Sequence, residues 1–123
     1  MSIVPPTTLI IGASTNPERY SYQAAHKLKA HGYKMVLLGL KEGEVAGQTI
    51  LTQKPKLTDI DTVTLYIGPA HQPEWYDYVL QLKPRRVLFN PSTENAAFAE
   101  LLAQNNIEAT EVCTLVLLSI GAY

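Results

Sequence analysis

Short apolar runs alternate along this chain with segments of helical periodicity. That alternation predicts β-α-β units around a mainly parallel sheet. The first run, Thr8 to Ile11, ends at a glycine. Ala24, Ala25 and Leu28 then fall on one face of a helix that starts near Ser21 and stops at His31-Gly32, where glycine suits a left-handed cap. Lys34 to Leu38 reads as a second strand buried on both faces. The polar stretch Lys41 to Gly47 reads as a loop, followed by a weak extended piece near Thr49 to Leu51 and a helical turn at Leu57 to Ile60. A third strand, Thr62 to Ile67, stops at Gly68-Pro69, and Gln72-Pro73 opens a helix reaching Leu82. Val87 to Phe89 is the fourth strand. Glu94 to Gln104 is a helix with Phe98, Leu101 and Leu102 as its buried stripe, and Ile107 to Val112 is a fifth strand. The tail, Thr114 to Ile120, is too apolar to be loose. It must pack on the core or on a second copy of the chain, as helix or strand. The expectation is a three-layer, Rossmann-like α/β domain spanning residues 1–123, with about five strands and helices on both faces.

Bulk properties remove several function classes. A chain of 123 residues has room for one core, and its formal net charge of -1 creates no field that would draw in nucleic acid. Arg85-Arg86 is the one adjacent basic pair, and it flanks a strand. Met1 to Thr8 carries neither a charged leader nor a long apolar run, and Leu115 to Leu118 is far too short to cross a bilayer. A single cysteine, Cys113, excludes an internal disulfide and any multi-cysteine metal site. The cytoplasm is the expected location.

Candidate chemistry gathers where strands end, because ligands of open parallel sheets sit beyond the carboxyl ends of the strands. After the first strand come Gly12, Ala13, Ser14, Thr15 and Asn16, then Pro17 and Arg19, with Ser21 opening the helix. Glycine permits a tight turn and close phosphate approach, Ser14 and Asn16 are neutral donors, and Arg19 offers a charge-assisted contact. The same residues would also serve as a plain strand-to-helix turn. The second strand ends in Leu40-Lys41, where an NAD-binding domain places Asp or Glu to hold the ribose hydroxyls. A lysine there suits a ribose phosphate, as in NADP or coenzyme A, or it is a solvated loop residue. Ser14 and Pro17 occupy the second and third glycine positions of Gly-x-Gly-x-x-Gly, which argues against an ordinary dinucleotide dehydrogenase. Ile67, Gly68 and Pro69 form the third strand end.

These residues resemble a known family, the single-domain coenzyme A-binding proteins. Such proteins are similar to the nucleotide-binding domain of succinyl-CoA synthetase and ADP-forming acyl-CoA synthetases. The resemblance rests on Ile11-Gly12-Ala13-Ser14, Asn16-Pro17 with Arg19, Ser21-Tyr22, His31-Gly32-Tyr33, Glu44 with Gly47, and Glu111 through Val116. It implies a pyrophosphate held by residues 12–14 with Asn16 and Arg19. It also implies adenosine between Leu40-Lys41 and Ile67-Gly68-Pro69, with Lys41 near the ribose phosphate. Many members end the second strand in Val-Asn-Pro, where this chain has Leu38-Gly39-Leu40. The ligase relatives phosphorylate a histidine held in a separate domain, for which this chain has no room. The expectation is therefore a small non-catalytic module binding coenzyme A or an acyl-CoA, with a nucleotide ligand, no nucleic acid and no membrane, and self-association through the apolar tail. The alternatives are an NAD(P)-binding redox protein and the nucleotide-binding half of a split acyl-CoA ligase.

Of the remaining candidates, His26 and His31 read as surface residues. His71 reads as a contact near the ligand mouth. The aromatic run Trp75 to Tyr78 reads as helix packing, and Cys113 as an inert core thiol.

Overall fold

Leu9, Ile10 and Ile11 are completely buried, as a strand covered on both faces requires. In the computed structural model, which describes residues 7–123, they belong to β1 (Thr7–Ile11) at the middle of the sheet. Residues 1–6, part of the segment read as neither leader nor anchor, lie outside that range. The elements that follow are α1 (Tyr20–Ala30), β2 (Lys34–Leu38), β3 (Gly43–Val45), β4 (Gln48–Leu51), β5 (Ile60–Leu65), α2 (Tyr76–Leu82), β6 (Arg86–Phe89), α3 (Ala96–Gln104), β7 (Glu108–Glu111) and α4 (Thr114–Ser119).

The sheet order is β3-β4-β2-β1-β5-β6-β7, with every pairing parallel except β3 on β4. Side chains alternate across it. Leu9 and Ile11 join Val63, Leu65, Val87 and Phe89 under α2 and α3, which contribute Val79, Phe98 and Leu102. Ile10, Leu37 and Ile50 face the other way, onto Ala24, Ala25 and Leu28 of α1 and Leu118 of α4. Three layers result, as the periodicity predicts.

Four details differ from the sequence reading. The strand count is seven rather than about five, because the supposed loop Lys41 to Gly47 holds β3, hairpinned onto β4. Ala46 and Gly47, both at positive φ (52° and 78°), form the two-residue turn, and one buried side chain per strand, Val45 and Ile50, fixes the hairpin to the core. No helical turn forms at residues 57–60. Asp59 takes a left-handed conformation (φ 62°) and Ile60 already belongs to β5. The stretch opened by Gln72-Pro73 begins as a 3-10 turn, Pro73–Trp75, with another 3-10 turn, Pro69–His71, just before Gln72, and α2 starts only at Tyr76. Helix α3 starts at Ala96 rather than Glu94, because the Asn95 side chain accepts from Phe98 N at 3.1 Å and caps it.

The tail is helical and packs on the core. Leu118 is buried in the α1 layer, while Val116 and Ile120 stay exposed. Beyond it, Tyr123 is fixed at the amino end of the sheet. The buried Arg86 donates to Thr62 Oγ1 (2.9 Å) and to the Tyr123 carbonyl (3.1 Å), and its guanidinium lies 4.7 Å from the Tyr123 ring centroid. Among the described residues, no helix is long and apolar enough to cross a membrane.

Candidate functional site

From β1 the chain proceeds to β2 on one side and later to β5 on the other. The loops after β1 and β5 therefore part, and a crevice opens between them at the carboxyl ends. It measures about 740 Å³. One wall is the loop after β1 with the first turn of α1, together with Leu40 and Lys41. The opposite wall is Tyr66, Ile67 and Gly68 after β5, and Pro91, Ser92 and Thr93 after β6.

Two glycines let the near wall close up. Gly12 has φ +99°, and a Cβ there would lie 2.9 Å from the carbonyl carbon and oxygen of Tyr66. A Cβ on Gly39 would lie 2.5 Å from the Ala13 carbonyl oxygen. The loop is thus wedged between the ends of β2 and β5, at a distance no side chain tolerates. Both the Gly12 and Ala13 N–H groups donate to the Leu38 carbonyl, each at 2.9 Å. Their donors are occupied, so these two residues shape the loop, and the free donors begin at Ser14, two residues later than the sequence suggests. Among the described residues, no in-chain acceptor takes the N–H groups of Ser14, Thr15, Tyr20 or Ser21. Asn16 N donates to Ser14 Oγ and Glu18 N to Asn16 Oδ1, both at 3.0 Å, which folds the loop back over the helix end. Helix α1 has no acidic residue in its first turn and Lys27 and Lys29 in its last, so its N-terminus keeps its positive end open to an anion.

The charges in the crevice have one sign. Arg19 and Lys41 line it, and no carboxylate does. Leu40, 94% exposed, and Tyr20, 69% exposed, add apolar surface at the rim. A second, more open cleft of about 790 Å³ runs along Glu42, Gly43 and residues 49–55. It mixes an acid with a lysine already engaged, since Lys54 donates to the Glu74 carbonyl and covers the Trp75 ring.

The far wall is held by buried amides. Asn90 Nδ2 donates to Thr64 Oγ1 (2.6 Å) and the Leu65 carbonyl (2.8 Å), while its Oδ1 accepts from Thr114 N (2.8 Å). Thr93 donates through N and Oγ1 to the Asn90 carbonyl. Ser92 accepts a positive φ of 76° to make this turn. The Tyr66 hydroxyl is buried beside Thr64 and Thr114, which bond each other at 2.9 Å, and it has no hydrogen-bond partner of its own. Burial pushes its pKa up to about 12.

All the sequence-predicted site residues except Pro69 line this one cleft. Pro69 and His71 sit in an exposed 3-10 turn outside it. Tyr20, Tyr66, Pro91, Ser92 and Thr93 were not anticipated. The strand-end rule applied to the fourth strand, where Asn90-Pro91-Ser92 reads as a turn, would have found the last three. His26 and His31 are exposed, as expected. Cys113 is half-buried at the start of α4.

Comparison with solved structures places this geometry among known folds. An uncharacterized protein of known crystal structure shares 48% of its sequence with this chain. Its TM-score is 0.94, covering 98% of this chain and all (100%) of its own. The Thermus thermophilus protein called cell-free ID.343 (17% identity, TM-score 0.83, 97% of this chain and 91% of that one) has the same fold. So does a conserved hypothetical protein of Pyrococcus furiosus (18%, 0.80, 90% and 97%). No curated protein matches the sequence. A family model described as a CoA binding domain matches residues 6–119.

Proposed function

Because the chain belongs to the CoA-binding domain family, we propose that this cleft binds coenzyme A or an acyl-CoA, and that binding itself is the protein's function. The observation that carries the reading is the charge pattern. A crevice at the strand-order reversal holds two cations, no carboxylate and a run of unoccupied backbone donors. Coenzyme A is the complementary shape in charge, with a pyrophosphate and a separate ribose phosphate. The pyrophosphate lies over the N–H groups of Ser14 and Thr15 and the start of α1, with Arg19 beside it. Lys41 meets the ribose phosphate, and Leu40 and Ile67 flank the adenine.

The described residues include no cluster of three or more His, Cys, Asp or Glu side chains able to hold a metal ion. In this reading the chain holds its ligand, as a carrier or sensor of acyl-CoA.

Thermal melting tests it. Ligand at 100 times its Kd stabilises a protein by about 2.7 kcal/mol. For a chain of this size that raises the midpoint by about 5–15 °C. Coenzyme A is expected to give that rise, and a rise with NADP alone would replace this reading with a redox one. Lys41→Ala is expected to weaken coenzyme A roughly tenfold and to leave dephospho-coenzyme A nearly unchanged, by loss of one charge-assisted contact. Equal losses for the two ligands would move Lys41 to a different phosphate.

A further inference from the structure

Gln72 is completely buried (0% exposed) although it is a polar residue, set between two 3-10 turns, Pro69–His71 and Pro73–Trp75. Its Nε2 donates to two carbonyls, Ile67 O at 3.0 Å and Thr93 O at 2.7 Å. Its Oε1 accepts from Asn95 Nδ2 at 3.0 Å, and Asn95 in turn reaches the Tyr76 hydroxyl at 2.9 Å. Ile67 follows β5 and Thr93 follows β6, and both line the cleft. These two loops belong to different strands, and one amide group bridges them.

We propose that Gln72 is a positioning residue that sets the far wall of the cleft and with it the selection for ligands that extend past the phosphate loop. The proposal rests on the coenzyme A reading above and adds a division of labour within the ligand. The nucleotide half lies against the loop after β1, against Leu40 and Lys41, and across from them against Ile67, whose strand end is also held without Gln72 by the Tyr66 N–H donating to the Ile11 carbonyl at 2.8 Å. The arm beyond the pyrophosphate has to pass the Pro91-Ser92-Thr93 wall, whose placement depends on Gln72. With an apolar side chain at 72, the Ile67 and Thr93 carbonyls lose this donor and Asn95 Nδ2 keeps only the Tyr76 hydroxyl, and the wall must shift to find other partners. The near wall shares none of these bonds and stays in place.

The test compares two probes, coenzyme A and adenosine 3',5'-bisphosphate, on the wild type and on Gln72→Met and Gln72→Glu. The glutamate keeps the shape and the acceptor but has no proton for either carbonyl. Gln72→Asn, shorter by one methylene and unable to span both loops, is the milder variant should the others fold poorly. Both principal variants are expected to lose roughly tenfold in affinity for coenzyme A and less than about threefold for the bisphosphate. Without ligand, amide hydrogen exchange is expected to accelerate at residues 92–95 and not at the exchangeable amides of residues 12–21. Variants that keep both affinities, or lose both by one factor, overturn the assignment of Gln72. A wild type that binds neither probe overturns the coenzyme A reading, and the selection role with it. The exchange pattern then shows separately whether Gln72 holds the wall.

Discussion

The two walls of the cleft are built by different means. On the near side the backbone makes the structure. Gly12 and Gly39 allow three strand ends to press together, Leu38 takes two N–H groups, and the next donors face open space. On the far side, side chains do it. Asn90 and Gln72 carry six hydrogen bonds' worth of buried amide, linking β5, β6 and the starts of α3 and α4. A wall made of backbone is stiff and accepts few substitutions. One made of amides depends on every member being satisfied.

Substitution at Gly12 is the most severe way to break the near wall. Gly12→Ala puts a Cβ against the Tyr66 backbone at a φ of +99°. A loss of roughly 2–4 kcal/mol in unfolding free energy is expected from strain and overpacking together. Denaturant titration measures it, and a loss below 1 kcal/mol would mean the loop relaxes freely. The matching change on the far wall is Asn90→Leu. It takes the acceptor from the Thr114 N–H and a donor from the Leu65 carbonyl and from the Thr64 hydroxyl, which keeps only Thr114 Oγ1, so a loss of about 2–4 kcal/mol is expected. Hydrogen exchange distinguishes the two, since Asn90→Leu should release the first turn of α4, and Gly12→Ala should not.

The legibility of the two walls in the sequence follows from the same difference. Gly-Ala-Ser, Asn-Pro and Arg19 announce the near wall because its determinants are local. A conformation only glycine adopts must be written at that position. The far wall depends on contacts such as Asn90 to Thr114, whose partners become neighbours only once the sheet has formed. Asn90 reads locally as a turn residue and Gln72 as the opening of a helix, and nothing in their flanks marks them as buried. The hairpin of β3 and β4 was missed for a related reason. β3 shows one apolar residue, Val45, and β4 an adjacent pair, Ile50-Leu51, too few for a period, although Ala46-Gly47 at the turn is a usable signal. The layers, by contrast, rest on long apolar runs and were predicted correctly.

Arg19→Ala separates ligand binding from either wall's stability. Its side chain is exposed and lines the cleft. It should weaken every pyrophosphate-bearing ligand by about 10- to 100-fold, the range for a hydrogen bond to a charged group, while the melting point of the free protein stays within about 2 °C. Titration calorimetry and a melt on the same sample check both halves.

A smaller effect sharpens the comparison at Tyr66, where the walls meet. Its phenol is held neutral by burial, with a pKa pushed up to about 12 from an ordinary 10.0. The raised value means the buried neutral phenol supports folding fully below pH 10 and loses that support as pH rises through about 12. Tyr66→Phe should therefore match the wild type at pH 7, because the hydroxyl has no partner to lose. At the top of that window it should be more stable than the wild type by roughly 2 kcal/mol. A variant less stable at pH 7 would mean the hydroxyl is bonded in solution. Tyr78 and Tyr123 are also raised by burial, but they are common to both proteins and cancel.

The most direct test follows backbone amide resonances of the labelled protein as coenzyme A is added. The account predicts the largest shifts at Ser14, Thr15, Tyr20 and Ser21, with smaller ones at Lys41 and at Ser92 and Thr93. No shifts at any concentration, or shifts confined to Glu42, Gly43 and residues 49–55 around the other cleft, would contradict it.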